Sequence, residues 1–262
     1  MSKIDKIKSI DIQHSLLLRS IVIVDKSSTF SIYGKTKSLH TSYYALTSSE
    51  ILLGKNVTLK CCTLRASNNS KIVIHENVNL ENVSIFVSGK GIVEISENSV
   101  VSGFGRKIVW QIDKGKFFCG HHSRVSHDMW IRYGGIVNIG DYSCVNLGSE
   151  IRCDESIKIG SYNQISFNVN IWDTNTHCIY PADERRKLTE TNGIGYEYER
   201  PKTKAVIIGD DCWIGKNASI LKGTIIGNKC IVGYGTTLIN EHIEDNTSVV
   251  SSIDLKKFKN KV

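Results

Sequence analysis

His177 is the residue whose type and setting most suit chemistry in this chain. It closes the segment Asp173-Thr-Asn-Thr-His177 and precedes a long break in an otherwise regular pattern, Cys178 to Lys204. A neutral imidazole takes a proton from a hydroxyl group near neutral pH. A His at the end of a rigid strand, with a loop above it, has the setting for that task; the alternative is a surface His in a turn. Asp173 reads either as a partner that orients the imidazole or as a cap on the strand-ending turn. The break carries Asp183-Glu-Arg-Arg-Lys187 and the pair Tyr196 and Tyr198. Arg185 and Arg186 suit carboxylates on an acidic glycan, and Tyr196 and Tyr198 suit sugar faces; otherwise the stretch is a solvated loop. His121, His122 and His127 are the only candidates for a metal-dependent hydratase, which needs three converging imidazoles. Their spacing does not place them on one face. The 8 Cys include no C-x-x-C pair, so most are expected to be small buried hydrophobes and no metal is expected.

The elements that must hold these residues follow a six-residue period. Ile208, Ile214, Ile220, Ile226, Val232 and Leu238 fall six apart, and Gly209, Gly215, Gly227 and Gly233 follow four of them. Cys212, Ala218, Thr224, Cys230 and Thr236 occupy a second, small-residue series four positions after the aliphatics. Neither helical nor simple strand periodicity produces this. Short straight segments separated by turns do: the aliphatic points inward, the small residue sits at the corner, and Gly permits close approach. Three segments make one triangular coil of about 18 residues, and coils stack as parallel strands. The series extends upstream through Ile139, Val145, Ile151 and Ile157, and through Ile159, Ile165 and Ile171. Still earlier, Val57, Val78 and Ser99 end similar segments 21 apart. Between about 103 and 135 the period is lost, which predicts an irregular coil with a loop.

Composition agrees with strands. Of 262 residues, 40% are hydrophobic, with Ile and Val prominent, and 21 Gly against 2 Pro leave the turning to glycine. No secretion signal or spanning segment is visible, which predicts a cytoplasmic protein with at most peripheral membrane contact. The formal net charge of +7 suits phosphate-rich cofactors or anionic sugars. No nucleic-acid motif accompanies it, so no nucleic-acid partner is expected. Lys256, Lys257, Lys259 and Lys261 form a basic tail.

The segment Lys204-Ala-Val-Ile-Ile-Gly-Asp-Asp-Cys-Trp-Ile-Gly215, continuing to Gly223 and Gly233, resembles the hexapeptide-repeat acyltransferases, in particular O-acetyltransferases of sugars and bacterial polysaccharides. The resemblance implies an all-β fold: a left-handed parallel β-helix over 49–250, with a loop insertion at 178–205, an N-terminal cap at 1–48 and a basic tail at 251–262. It implies acetyl-CoA as cosubstrate, a glycan or activated sugar as acceptor, and a homotrimer with sites between subunits. The Asp173–His177 segment resembles the family's catalytic histidine segment. The run Ile139 to Asn146 resembles one supplying a substrate-contacting Asn, although Asn146 also reads as a corner residue tolerating positive φ. Trp213 stands where polysaccharide O-acetyltransferases carry a Trp near the acetyl group, or else serves trimer packing. Gly215, Lys216, Tyr234 and Asn240 match family cofactor-contact positions, with a backbone N–H near Gly215 as oxyanion donor and Lys222 or the tail for the 3′-phosphate. Two departures are Ala205, where Pro is usual, and Tyr234, where a small residue is usual. The implied reaction is O-acetylation of a sugar hydroxyl of a capsule or O-antigen polysaccharide. N-acetylation of an amino-sugar nucleotide, a hydratase on the same fold and a non-catalytic binding β-helix are the alternatives.

Overall fold

The computed structural model describes residues 15–252 and 256–257. Three parallel sheets, of 11, 10 and 10 strands, share one axis. Strands visit the sheets in strict rotation, and the sheets form the three faces of a prism. Face A begins with Leu16–Leu18, face B with Ile21–Val24 and face C with Thr29–Ile32. Every strand pairs in parallel with the strand one coil before or after it, as Ile21–Val24 does with Ser42–Leu46. The molecule is therefore a parallel β-solenoid, as the six-residue period predicts.

Alternation builds the core. In Glu50–Leu53, Ile51 and Leu53 are fully buried while Glu50 and Leu52 face out. Parallel register then stacks like positions, so Leu53, Ile74, Ile95, Cys119, Ile139, Ile159 and Ile208 form one inward column of face C. Such columns fill the prism with mostly aliphatic side chains in one continuous core.

The small corner residues form a second ladder whose chemistry is polar. The Ser99 hydroxyl accepts the N–H of Ser123, Ser123 that of Ser143, and Ser143 that of Asn163, each at 3.1 Å. The hydroxyls of Ser123 and Ser143 donate to the carbonyls of Gly140 and Gly160 at 2.8 and 2.9 Å. Cys212 continues the series with its thiol on the carbonyl of Gly227. The glycines are required sterically: a Cβ on Gly209 would lie 2.7 Å from the backbone carbon of Gly227. All 8 cysteines are free.

Coil length changes along the axis, which explains where the period fades. Lys37 pairs with Thr58 and Thr58 with Asn79, 21 residues apart. Cys144 pairs with Gln164, 20 apart, and Trp213 with Ile231, 18 apart. The expected cap at 1–48 is instead solenoid from Leu16 onward, because long coils with Ser38, Tyr43 and Ala45 at inward positions disguise the repeat. Residues 1–14 of that cap, and 253–255 and 258–262 of the tail with Lys259 and Lys261, lie outside the described residues. The stretch 103–135 stays in parallel pairing, but its coils are unequal in length and residues 103–107 form a turn between strands, so it is the irregular coil with a loop that the lost period predicts. One coil there, spanning 24 residues from Ser99 to Ser123, accommodates a buried cluster. The ring of Trp110 lies 4.8 Å from Phe117 and 5.8 Å from His127. The insertion, expected as loop, carries the helix Ala182–Asn192, none of whose residues is buried. Among the described residues no helix is long and apolar enough to cross a membrane.

Candidate active site

His177 lies at the corner between faces B and C, five residues past the strand Asn170–Trp172. The insertion that follows it returns to the same corner. Glu197 accepts the Nδ1–H of His177 at 3.1 Å and the backbone N–H of Cys178 at 3.0 Å. The Glu197 side chain is only 9% exposed and that of His177 is 70% exposed. A carboxylate on Nδ1 fixes the proton there and leaves the Nε2 lone pair directed away from the protein. The arrangement is an oriented base whose free nitrogen is open to solvent. Sequence reasoning missed Glu197: the pair is 20 residues apart and forms only because the insertion folds back.

Asp173 does not orient His177. It is fully buried, and its oxygens accept the N–H groups of Asp154, Glu155 and Ser156 at 2.8, 2.8 and 2.7 Å. The Cys153 thiol donates a fourth bond at 3.2 Å. Burial pushes the carboxyl up from its ordinary value, and the backbone donors oppose that shift. Asp173 is thus a cap for the turn of the preceding coil, the second of its two readings.

The insertion is tied to the base by Arg185, whose guanidinium donates to the Tyr196 carbonyl at 2.8 Å and to Glu197 at 3.4 Å. It also lies 4.7 Å from the centre of the Tyr180 ring. Arg185 is therefore committed to positioning Glu197 and is not free for an acceptor carboxylate. Tyr198 donates its hydroxyl to Glu184, which raises its pKa to about 12. Arg186 and Tyr196 remain exposed, Arg186 beside Asp183 at 3.4 Å.

The remaining candidates divide between two corners. Lys222 and Asn240 share the B/C corner with His177, on the next two coils. Asn240 donates its backbone N–H to the Lys222 carbonyl at 3.1 Å, and its side chain accepts from Lys204. Lys204, which ends the insertion, is a cation at this corner that sequence reasoning did not single out. Asn146, Trp213, Gly215, Lys216 and Tyr234 lie instead on face A or its corner with face B. Asn146 donates its side-chain amide to the Ile165 carbonyl at 2.9 Å. The left-handed residue of that turn is Gly148, φ 77°, not Asn146. The Gly215 N–H is already bonded to Val232 at 2.7 Å, so it is not a free oxyanion donor. Trp213 is 55% exposed and Tyr234 72% exposed, and the Tyr234 hydroxyl accepts from Asn217 at 2.8 Å. Within one chain His177 and Trp213 therefore stand at different edges of the prism.

His121, His122 and His127 do not converge on one point. His127 is buried inside the prism, whereas His121 and His122 lie at the surface, with His121 paired to Asp141 at 3.1 Å. Among the described residues there is no group of three or more His, Cys, Asp or Glu able to hold a metal ion.

Residues 205–240 match the family model described as bacterial transferase hexapeptide (six repeats). The chain carries these hexapeptide repeats in its last complete coils. No curated protein sequence matches it significantly. Among solved structures, it is similar to the polySia-specific acetyltransferase NeuO at 16% identity, over 91% of this chain and 93% of that one, with a TM-score of 0.42. It is also similar to the polysialic acid O-acetyltransferase OatWY at 17% identity, over 97% of this chain and 95% of that one, with a TM-score of 0.31.

Proposed function

We propose that this chain is an acetyl-CoA-dependent O-acetyltransferase that acts in the cytoplasm on a sugar hydroxyl of a bacterial cell-surface polysaccharide. The observation that carries the reading is the His177–Glu197 pair on a hexapeptide-repeat solenoid: a buried carboxylate holds Nδ1 and leaves Nε2 exposed. Nε2 takes the proton of the acceptor hydroxyl as its oxygen attacks the thioester carbonyl. Collapse of the tetrahedral intermediate breaks the C–S bond, and the same nitrogen returns the proton to the departing thiolate. Alignment of the two substrates supplies much of the remaining acceleration.

The donor would lie along the B/C corner, where Lys204 and Lys222 offer positive charge to its phosphates. A closed trimer would set the face A edge of one copy, with its exposed Phe167, Trp213, Ile231 and Tyr234, against the His177 corner of the next. That packing would cover apolar side chains that are costly to leave in water.

The test is release of CoA from acetyl-CoA in the presence of acidic bacterial polysaccharides. His177→Ala should retain the circular dichroism of the parent and lose about 100- to 10,000-fold in kcat. Retained activity would refute the base assignment. A product stable to mild base would point to an amide and favour N-acetylation.

A further inference from the structure

We propose that the outer surface of face B binds an acidic oligosaccharide chain lying parallel to the solenoid axis. A groove of about 1020 Å³ runs along this face, over the strands Thr63–Ser67, Val83–Ser88, Ile108–Asp113 and Asp128–Ile131. Its floor is a register column: Arg65 pairs with Phe86, Phe86 with Gln111, and Gln111 with Trp130. All four are exposed. Three coil spacings of roughly 4.8 Å make the column about 14 Å long, the reach of a short oligosaccharide.

The chemistry of the column selects the occupant. Phe86 and Trp130 expose 36% and 39% of their surface, and aromatic faces of this kind pack against the C–H face of a sugar ring while the sugar's hydroxyls stay wet. Trp130 is held in place from the next coil by the Arg152 guanidinium, 4.5 Å from its ring centre, and Arg152 is braced at 5.0 Å by Trp172. Gln111, Ser67 and Ser88 add hydrogen-bonding groups. The charge is unequal. Arg65, Lys114 and Arg200 line the groove against one carboxylate, Asp113, which accepts from Ser88 at 2.9 Å. Arg132 is neutralised by a two-point bond to buried Asp154, at 2.9 and 2.8 Å. The surplus is positive and the aromatics are spaced between the cations, which fits a carboxylated sugar chain.

The groove also leads to the base. Arg132, at its C-terminal end, donates to the Thr176 carbonyl at 3.3 Å, one residue before His177. Arg200 comes from the insertion that supplies Glu197 and bonds to the Asp154 carbonyl. A chain seated in the groove would thus run toward His177. This assignment deepens the acceptor side of the proposed function and rests on it for the identity of the ligand as a sugar; binding itself requires no transfer.

The experiment is titration calorimetry of the full chain carrying His177→Ala against hexamers of galacturonic acid and of sialic acid, with maltohexaose as the neutral comparison. At least one acidic hexamer should bind about tenfold more tightly than the neutral one, with affinity falling as salt rises. Arg65→Ser and Trp130→Ala should each weaken that binding about threefold to tenfold, whereas Lys158→Ala on face C should leave it unchanged. Circular dichroism verifies the fold of each variant. The assignment is overturned if neither acidic hexamer binds, if maltohexaose binds equally, or if Arg65→Ser and Trp130→Ala bind as the parent does. Tighter binding of a thymidine hexanucleotide would also overturn it, as would a changed sedimentation coefficient in Trp130→Ala, which would make the groove a subunit interface. Binding without acetyl transfer by the unaltered protein would sink the O-acetyltransferase reading and leave the groove standing; transfer without groove binding would do the reverse.

Discussion

His127 makes the fold acid-sensitive in a predictable window. The imidazole is fully buried, stacked on Trp110, with Nδ1 donating to the Asp128 carbonyl at 3.2 Å and Nε2 without a partner. Burial lowers its pKa from 6.5 to about 4, opposed by Asp128. The sign follows from linkage: as pH falls below 6.5 the unfolded chain takes up a proton that the native chain refuses, so native stability declines until about pH 4. Between pH 7 and 4.5 these two values correspond to about 2 kcal/mol. Asp25, lowered to about 2 chiefly by the Thr47 N–H, and Asp245, lowered by Asn228, lose their contributions only below that window. Urea unfolding followed by circular dichroism at a series of pH values, at fixed protein concentration, measures the effect. The parent should lose about 2 kcal/mol more than His127→Leu between pH 7 and 4.5. A difference between the two proteins that stays constant with pH would refute the reasoning, whatever the absolute cost of the substitution.

Three further outcomes follow from the site and the corners. Glu197→Gln should reduce kcat by about 10- to 100-fold in steady-state CoA release while leaving the melting temperature nearly unchanged, because the amide no longer fixes the Nδ1 proton. Asp173→Asn should destabilise the chain by about 2–4 kcal/mol in urea, since an amide cannot accept from all four donors. A normal unfolding midpoint with lost activity would restore Asp173 to a catalytic role. Gly140→Ala would put a Cβ 2.6 Å from the backbone carbon of Gly160 and should cost about 1–3 kcal/mol by the same assay.

The solenoid was readable where the inward slots six apart hold Ile, Val or Leu, as from Ile208 to Leu238, because a fixed coil length makes register and sequence period coincide. It faded where coil length changed and where Tyr43, Trp110 or His127 filled the inward position, since periodicity alone does not reveal how large a slot is. The strand-end position of His177 was legible from its place before the insertion. Glu197 was not, because its role depends on a chain reversal that leaves no local pattern. Asp173 was visible as a polar residue at a strand end, but only the three N–H groups aimed at it decide between cap and partner. The column from Arg65 to Trp130 spans unequal coils, so its members share no sequence interval.

The rotation of strands among three faces makes the protein nearly one-dimensional: the strands of each coil pair only with those of the coil before and the coil after it. Cohesion in such a stack is a chain of nearest-neighbour terms, and loss begins at the ends. Among the described residues, the coil that leads to His177 has two complete coils and the strand Ser248–Val249 beyond it on the C-terminal side. Melting that reaches these coils from the C-terminal side removes Asn240 first and Lys222 next, while His177 is still held by Glu197. This corner would thus come apart in sequence, the Asn240 and Lys222 side chains leaving it while the His177–Glu197 pair stays assembled.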